Sequence, residues 1–244
     1  MGVLAWTHPT PRGGLFQQAS KCPPVDPWAR FPQDGLMASQ DTSVVLIRHG
    51  ETDYNRTGRY MGRLEKGLND LGRKQAACAA RRLAREDGAQ VLITSPLRRT
   101  RETASYLEKT LDLTAEPDDG FLEVDLGPWQ DRERRQVAEE DPGRWKLWMT
   151  DPARVQVAGM EGLDALRVRV GAALDAVMSR HAGQRVIVVT HFACVVTGML
   201  HALDLPDSAY RRFPVDNTSF TELVSGRMIR LVRFNDTAHL GEIK

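Results

Sequence analysis

Ser43-Val44-Val45-Leu46-Ile47-Arg48-His49-Gly50 is an apolar run, rich in β-branched side chains, that stops abruptly at a cation and an imidazole. A short run without polar alternation suits a strand covered on both faces, as in a parallel sheet held between helices. Arg185-Val186-Ile187-Val188-Val189-Thr190 has the same form and runs into His191. Val91-Leu92-Ile93-Thr94 is a third strand, ending before Ser95-Pro96. Between these runs the period changes to that of a helix. Residues 71–85 carry Ala76, Ala80 and Leu83 on one face, with Asn69 or Asp70 placed to cap them. Residues 97–109 form a helix introduced by Ser95-Pro96. The clearest helix covers 161–181, where Leu163, Leu166, Val170, Ala173, Leu174 and Val177 make one stripe. An apolar helix follows His191 to about residue 203. Residues 112–130 read as loop, 130–140 and 144–149 as two short helices, and 219–224 with 227–234 as a hairpin about Ser225-Gly226. Strands alternating with helices predict an α/β fold: a three-layer sandwich whose mostly parallel central sheet is flanked by helices and closed by an antiparallel hairpin.

The chain has 244 residues, enough for one full core, with 41% hydrophobic and 27% charged residues. Its 33 basic and 32 acidic residues leave a net charge of +1, so no global field would gather nucleic acid or an acidic membrane. The longest apolar stretch, 186–200, is too short to cross a bilayer, which needs about 20 apolar residues. Cys22, Cys78 and Cys194 are odd in number and widely spaced, which fits a reducing cytoplasm and gives no structural zinc motif. Residues 1–41 hold six of the 13 prolines and no periodicity; they are expected to form a poorly ordered extension before a domain at 42–244, with Met37 as a possible native start.

Ligands in open α/β sheets bind beyond the carboxyl ends of the strands. His49 and His191 follow two such ends, and Ser95-Pro96-Leu97-Arg98-Arg99-Thr100 follows a third. Imidazoles gathered with guanidinium groups suit a phosphate, because the arginine fork matches its oxygens and stays charged. Periodicity alone leaves Arg98 and Arg99 as equal candidates.

Arg48-His49-Gly50-Glu51-Thr52 with Asn55 resembles the RHGxTxxN signature of the histidine phosphatase (phosphoglycerate mutase-like) superfamily. Four further blocks, in order, are similar to that family: Gly67–Ala76, Ser95–Ala104, Leu122–Trp129 and Val189–His191, with a related ending at Asn235–Leu240. The resemblance covers about residues 43–240. It implies that His49 is a nucleophile that accepts a phosphoryl group, and that Arg48, Arg99, His191 and Asn55 bind the phosphoryl oxygens. It singles out Arg99 over Arg98 and gives Glu123 the role of proton donor, Asp125 being a weaker candidate. Imidazole titrates near neutrality, so neutral His49 can attack without a separate base. Arginines would supply the positive charge, so neither metal nor cofactor is expected.

Two places depart from the family pattern. Phe192-Ala193 replaces the usual Gly-Gly after the second histidine, and Met160-Glu161-Gly162 replaces a Gly-Glu-Ser block. Phe192 would narrow the pocket or pack into the core. Residues 130–159 hold Arg132, Arg134, Arg135, Arg144, Lys146 and Arg154, which serve either a polyanionic substrate or an ordinary charged surface. Only 68 positions separate Glu123 from His191, a spacing similar to the phosphatase branch rather than to mutases with a longer insertion. The expected activity is hydrolysis of a small phosphorylated metabolite. The alternatives are a 2,3-bisphosphoglycerate-dependent phosphoglycerate mutase and a phospho-ligand-binding interaction module. Oligomeric state is not legible.

Overall fold

The computed structural model describes residues 41–86, 88–241 and 243. The expected extension, Met37 and Cys22 lie outside the described residues. Asp41, the last residue assigned to that extension, pairs with Arg230 at 2.8 Å and so belongs to the folded body.

Six strands, β1 (Ser43–Arg48), β2 (Ala89–Thr94), β3 (Ala115–Pro117), β4 (Arg185–Thr190), β5 (Phe220–Val224) and β6 (Arg230–Asp236), form one sheet in the order β3-β2-β4-β1-β5-β6. The first four are mutually parallel, β5 runs against β1, and β6 runs against β5. The helices are α1 (Asp53–Arg56), α2 (Asp70–Glu86), α3 (Arg98–Leu111), α4 (Arg134–Glu140), α5 (Pro142–Thr150), α6 (Leu163–Arg180) and α7 (Phe192–Ala202). The predicted sandwich is therefore present. Strand side chains alternate between two cores, as the period of two requires. Val44, Leu46, Val186 and Val188 pack with α6 and α7, while Val45, Ile47, Ile187 and Val189 pack with α2 and α3. That double burial is why these strands read as unbroken apolar runs.

Among the strands and α-helices, two escaped the sequence reading. β3 lies inside the stretch read as loop; it is three residues long, mostly exposed and ends in proline, tolerated because it is an edge strand. Helix α1 is four residues long with no buried side chain, and its signal is a capping box between Thr52 and Asn55 rather than any apolar period. The hairpin strands are joined by five residues, 225–229, not by the two-residue turn expected. Among the described residues no helix is long and apolar enough to cross a membrane.

Candidate active site

Parallel neighbours end at the same level, so the residues just beyond β1, β4 and β2 stand side by side. Arg48 pairs with Thr190 in the ladder, the His49 amide donates to the Thr190 carbonyl at 2.9 Å, and the Ser95 amide donates to that of Val189 at 2.9 Å. His49 and His191 thereby meet edge to face, with ring centroids 5.4 Å apart. Arg99 reaches the same place from the first turn of α3.

The loop carrying His49 is braced by the motif around Gly72. The Asn69 side chain caps α2 by accepting from the Gly72 amide at 2.8 Å and donates to Glu51 at 2.8 Å; Gln75 accepts from the Glu51 amide at 2.9 Å. A Cβ at Gly50 would lie 2.5 Å from the Gly72 carbonyl oxygen, and one at Gly72 would lie 2.1 Å from that of Glu51. Both glycines are required by this close approach of two backbones. From the other side Asn217 donates to the His49 carbonyl at 2.9 Å. Asn217 sits in an irregular loop and had no periodic signal in the sequence.

His49 is 2% exposed. Its Nδ1 lies 2.7 Å from the Gly50 carbonyl, which can only accept, so the proton is on Nδ1 and the lone pair is on Nε2. Burial, with Arg99 and Arg48 beside it, holds its pKa well below the ordinary histidine value. The ring is therefore neutral at pH 7.

Arg48 donates to the Val215 carbonyl at 2.6 Å, while its buried Nε has no hydrogen-bond partner among the described residues. Arg99 is fully buried; it donates to the carbonyls of Leu64 and Gly62 at 3.0 and 2.8 Å and to His191 Nδ1 at 3.1 Å. Burial lowers both guanidiniums to about 10. Neither has a carboxylate partner in hydrogen-bond contact among the described residues.

Glu123 is partly buried, and burial raises its carboxyl above the ordinary glutamate value against the pull of Arg99 and the Val124 amide. The backbone around it is clamped. Thr190 Oγ1 donates to the Phe121 carbonyl at 2.9 Å, the Cys194 thiol to that of Leu122 at 2.9 Å, and Arg63 Nε to that of Glu123 at 3.0 Å. Glu161 binds both Arg63 and Arg169 and accepts from the Asp125 amide at 3.2 Å. The departure at Met160-Glu161-Gly162 thus keeps its carboxylate in a supporting role. Asp125, the weaker candidate, accepts from the Gly127 amide at 2.8 Å and does not line the cleft.

A cleft of about 340 Å³ opens over these groups, lined by His49, Arg48, Arg99, Asn55 and Glu123. Asn55 Oδ1 accepts from the amide and hydroxyl of Thr52, both at 3.1 Å, which leaves its Nδ2 protons as donors. Phe192 lines the cleft as well, edge-on to Tyr210 with centroids 5.9 Å apart and beneath Arg48. His191 departs from expectation. It is fully buried, does not line the cleft, and both nitrogens are engaged: Nδ1 accepts from Arg99, and Nε2 lies 2.8 Å from Ser95 Oγ. Of the six basic residues of 130–159 only Arg134 lines the cleft, whereas Arg132, Arg135 and Arg144 are paired with Glu140, Glu139 and Asp141. Arg59 and Arg211, neither singled out from sequence, also line the cleft. No cluster of His, Cys, Asp and Glu is arranged to hold a metal ion among the described residues.

A sandwich with two histidines and two acid-poor arginines at its carboxyl edge defines a class. The chain matches the histidine phosphatase superfamily, branch 1, over residues 44–237 and belongs to it as a phosphatase enzyme. Phosphoserine phosphatase 1 of Hydrogenobacter thermophilus is 33% identical over 200 residues, 82% of this chain and 94% of that protein. A probable phosphoglycerate mutase of Yersinia pestis is 31% identical over 208 residues, 81% of this chain and 94% of that one. Among solved structures, a mycobacterial glucosyl-3-phosphoglycerate phosphatase in complex with VO3 superposes with a TM-score of 0.72 at 30% identity, covering 79% of this chain and 98% of that one.

Proposed function

We propose that this chain hydrolyses small phosphomonoesters through a phosphohistidine on His49. The observation that carries the reading is the state of that ring: neutral, with Nδ1–H held by the Gly50 carbonyl and Nε2 unprotonated, in the cleft with Arg48 and Arg99. Nε2 attacks phosphorus as the bond to the leaving oxygen breaks, and Glu123 gives its proton to that oxygen. Charge on the phosphoryl oxygens is met by Arg48 and Arg99, with the Nδ2 group of Asn55 as a neutral donor. The Glu123 carboxylate then takes a proton from water, which attacks phosphorus; the P–N bond breaks and inorganic phosphate leaves. His191 acts in this scheme by holding Arg99 through Nδ1 rather than by touching phosphate. The free thiols of Cys78 and Cys194 suit a reducing, cytoplasmic setting.

The test is release of inorganic phosphate from p-nitrophenyl phosphate and a panel of phosphorylated metabolites in EDTA. Turnover without added metal supports the hydrolase. Activity confined to phosphoglycerate interconversion primed by 2,3-bisphosphoglycerate makes the chain a mutase instead. Binding of phosphorylated ligands with no turnover of any of them leaves an interaction module.

A further inference from the structure

Beyond the phosphoryl end, the cleft has a second, chemically different wall. Tyr60, Trp148 and Tyr210 line it with the small part of their rings left uncovered, being 6%, 7% and 1% exposed. Two guanidiniums lie on them. Arg134 stands 5.8 Å from the Tyr60 ring centre, and Arg211 is 4.8 and 5.4 Å from those of Trp148 and Tyr210.

The charge on this wall is unbalanced. Around Arg134 three other cations are matched by carboxylates: Arg132 with Glu140, Arg135 with Glu139, and Arg59 with Glu133. Arg134 has no carboxylate within ion-pair distance among the described residues. Arg211 has none either; its Nε and Nη2 both donate to the Trp148 carbonyl, at 2.8 and 2.5 Å, which fixes the group without neutralising it. Glu123 is the only acidic side chain among the described residues that line the cleft, and the phosphoryl transfer uses it. Two cations left unmatched on one wall, Arg211 partly buried and Arg134 exposed, raise the local concentration of anions and repel cations. Aromatic surface beneath them favours a flat or apolar body over a fully hydroxylated one.

We infer that the leaving group carries an anionic group of its own, bound between Arg134 and Arg211, on a flat or apolar body lying along Tyr60 and Trp148, and that an ammonium in that position is rejected. This rests on the hydrolase reading and adds the substrate class to it.

The experiment is a charge series on one ring, with phenols of similar acidity as leaving groups: phenyl phosphate, its 3- and 4-carboxy derivatives, and its 4-aminomethyl derivative. At low salt, kcat/KM for the better carboxy isomer is expected to exceed that for phenyl phosphate by about three- to tenfold, a range set by about 0.6–1.4 kcal/mol for a partly desolvated pair. The aminomethyl ester is expected to fall below phenyl phosphate by a similar factor. Arg134 is exposed, so both Arg134→Ala and Arg134→Glu should fold. The first should bring the carboxy preference to within about twofold of unity, and the second should favour the aminomethyl ester. Equal rates for all the esters in the wild type, or a preference untouched by Arg134→Glu, overturn the inference while leaving the hydrolase intact. No turnover of any ester removes the hydrolase reading and the inference with it.

Discussion

Two groups of arginines in this molecule are held in opposite ways. On the α2 face, Arg233 binds both Glu86 and Glu222, Arg185 binds Glu86 at 2.7 Å, and Arg82 binds Glu86 at 2.8 Å and also Asp236. At the carboxyl edge of the sheet, Arg48 and Arg99 have carbonyl oxygens and one imidazole as partners instead. The electrostatic outcomes diverge accordingly. Burial would push Glu86 up, but the Arg233, Arg185 and Arg82 guanidiniums hold it down to about 2, whereas burial takes Arg48 and Arg99 down to about 10. A guanidinium matched by carboxylates is a closed, structural unit. One positioned by neutral acceptors keeps its charge for an incoming anion, at a cost in stability that the rest of the fold bears.

The strongest break in this comparison comes from the acid-poor edge. His49→Ala should reduce phosphate release at least about 10⁴-fold, since removing a nucleophile leaves only binding and charge stabilisation. Steady-state assays against p-nitrophenyl phosphate read this directly, and unchanged turnover would falsify the nucleophile assignment.

Glu123→Gln should lower kcat/KM for alkyl phosphates by about 10²–10⁴-fold and much less for p-nitrophenyl phosphate, whose leaving group needs little protonation. Burial raises the Glu123 carboxyl, so the acid form persists above the usual glutamate range and activity on alkyl esters declines as pH rises through the raised value. The variant should lack that limb; an identical pH–rate profile would remove Glu123 as the acid.

Arg99→Lys keeps the charge but not the fork and should lose about 10²–10³-fold in kcat/KM. Near wild-type activity would mean that point charge alone is sufficient at this position.

The matched cluster gives the smallest effect, and on a different readout. Glu86→Gln should lower unfolding stability by about 1–3 kcal/mol, discounted because Glu86 is 22% exposed, with kcat/KM unchanged. Its carboxyl is depressed in the folded state from an ordinary value of 4.5 to about 2. The stability it provides is therefore complete above about pH 4.5 and is lost as pH falls towards 2. Urea titrations across that window should show a shallower acid loss in the variant, and an unaltered slope would contradict the assignment.

Legibility in the sequence followed burial. The parallel strands and α6 were readable because both their faces or one wide stripe are apolar, and strand-end logic then brought His49, His191 and the arginines of α3 to one edge. Choosing Arg99 over Arg98 needed the family resemblance, since both begin the same helix. Glu123 likewise carries no local signal, its position being fixed by distant groups such as Thr190, Cys194 and Arg63. The outer wall was least legible. Arg211 lies far along the chain from Trp148, and the many cations of 130–159 looked alike until their partners separated Arg134 from Arg132, Arg135 and Arg144. His191 was readable in place but not in contact, because which side chain occupies each ring nitrogen depends on the packing of Ser95 and Arg99.

The most direct test of the contrast is chemical capture at His49. Enzyme mixed with a ³²P-labelled phosphomonoester, quenched in alkaline denaturant within a turnover and digested, should carry base-stable, acid-labile label on the peptide containing His49, and none in His49→Ala. Label on any other peptide, or full turnover with no label on His49, would contradict the account.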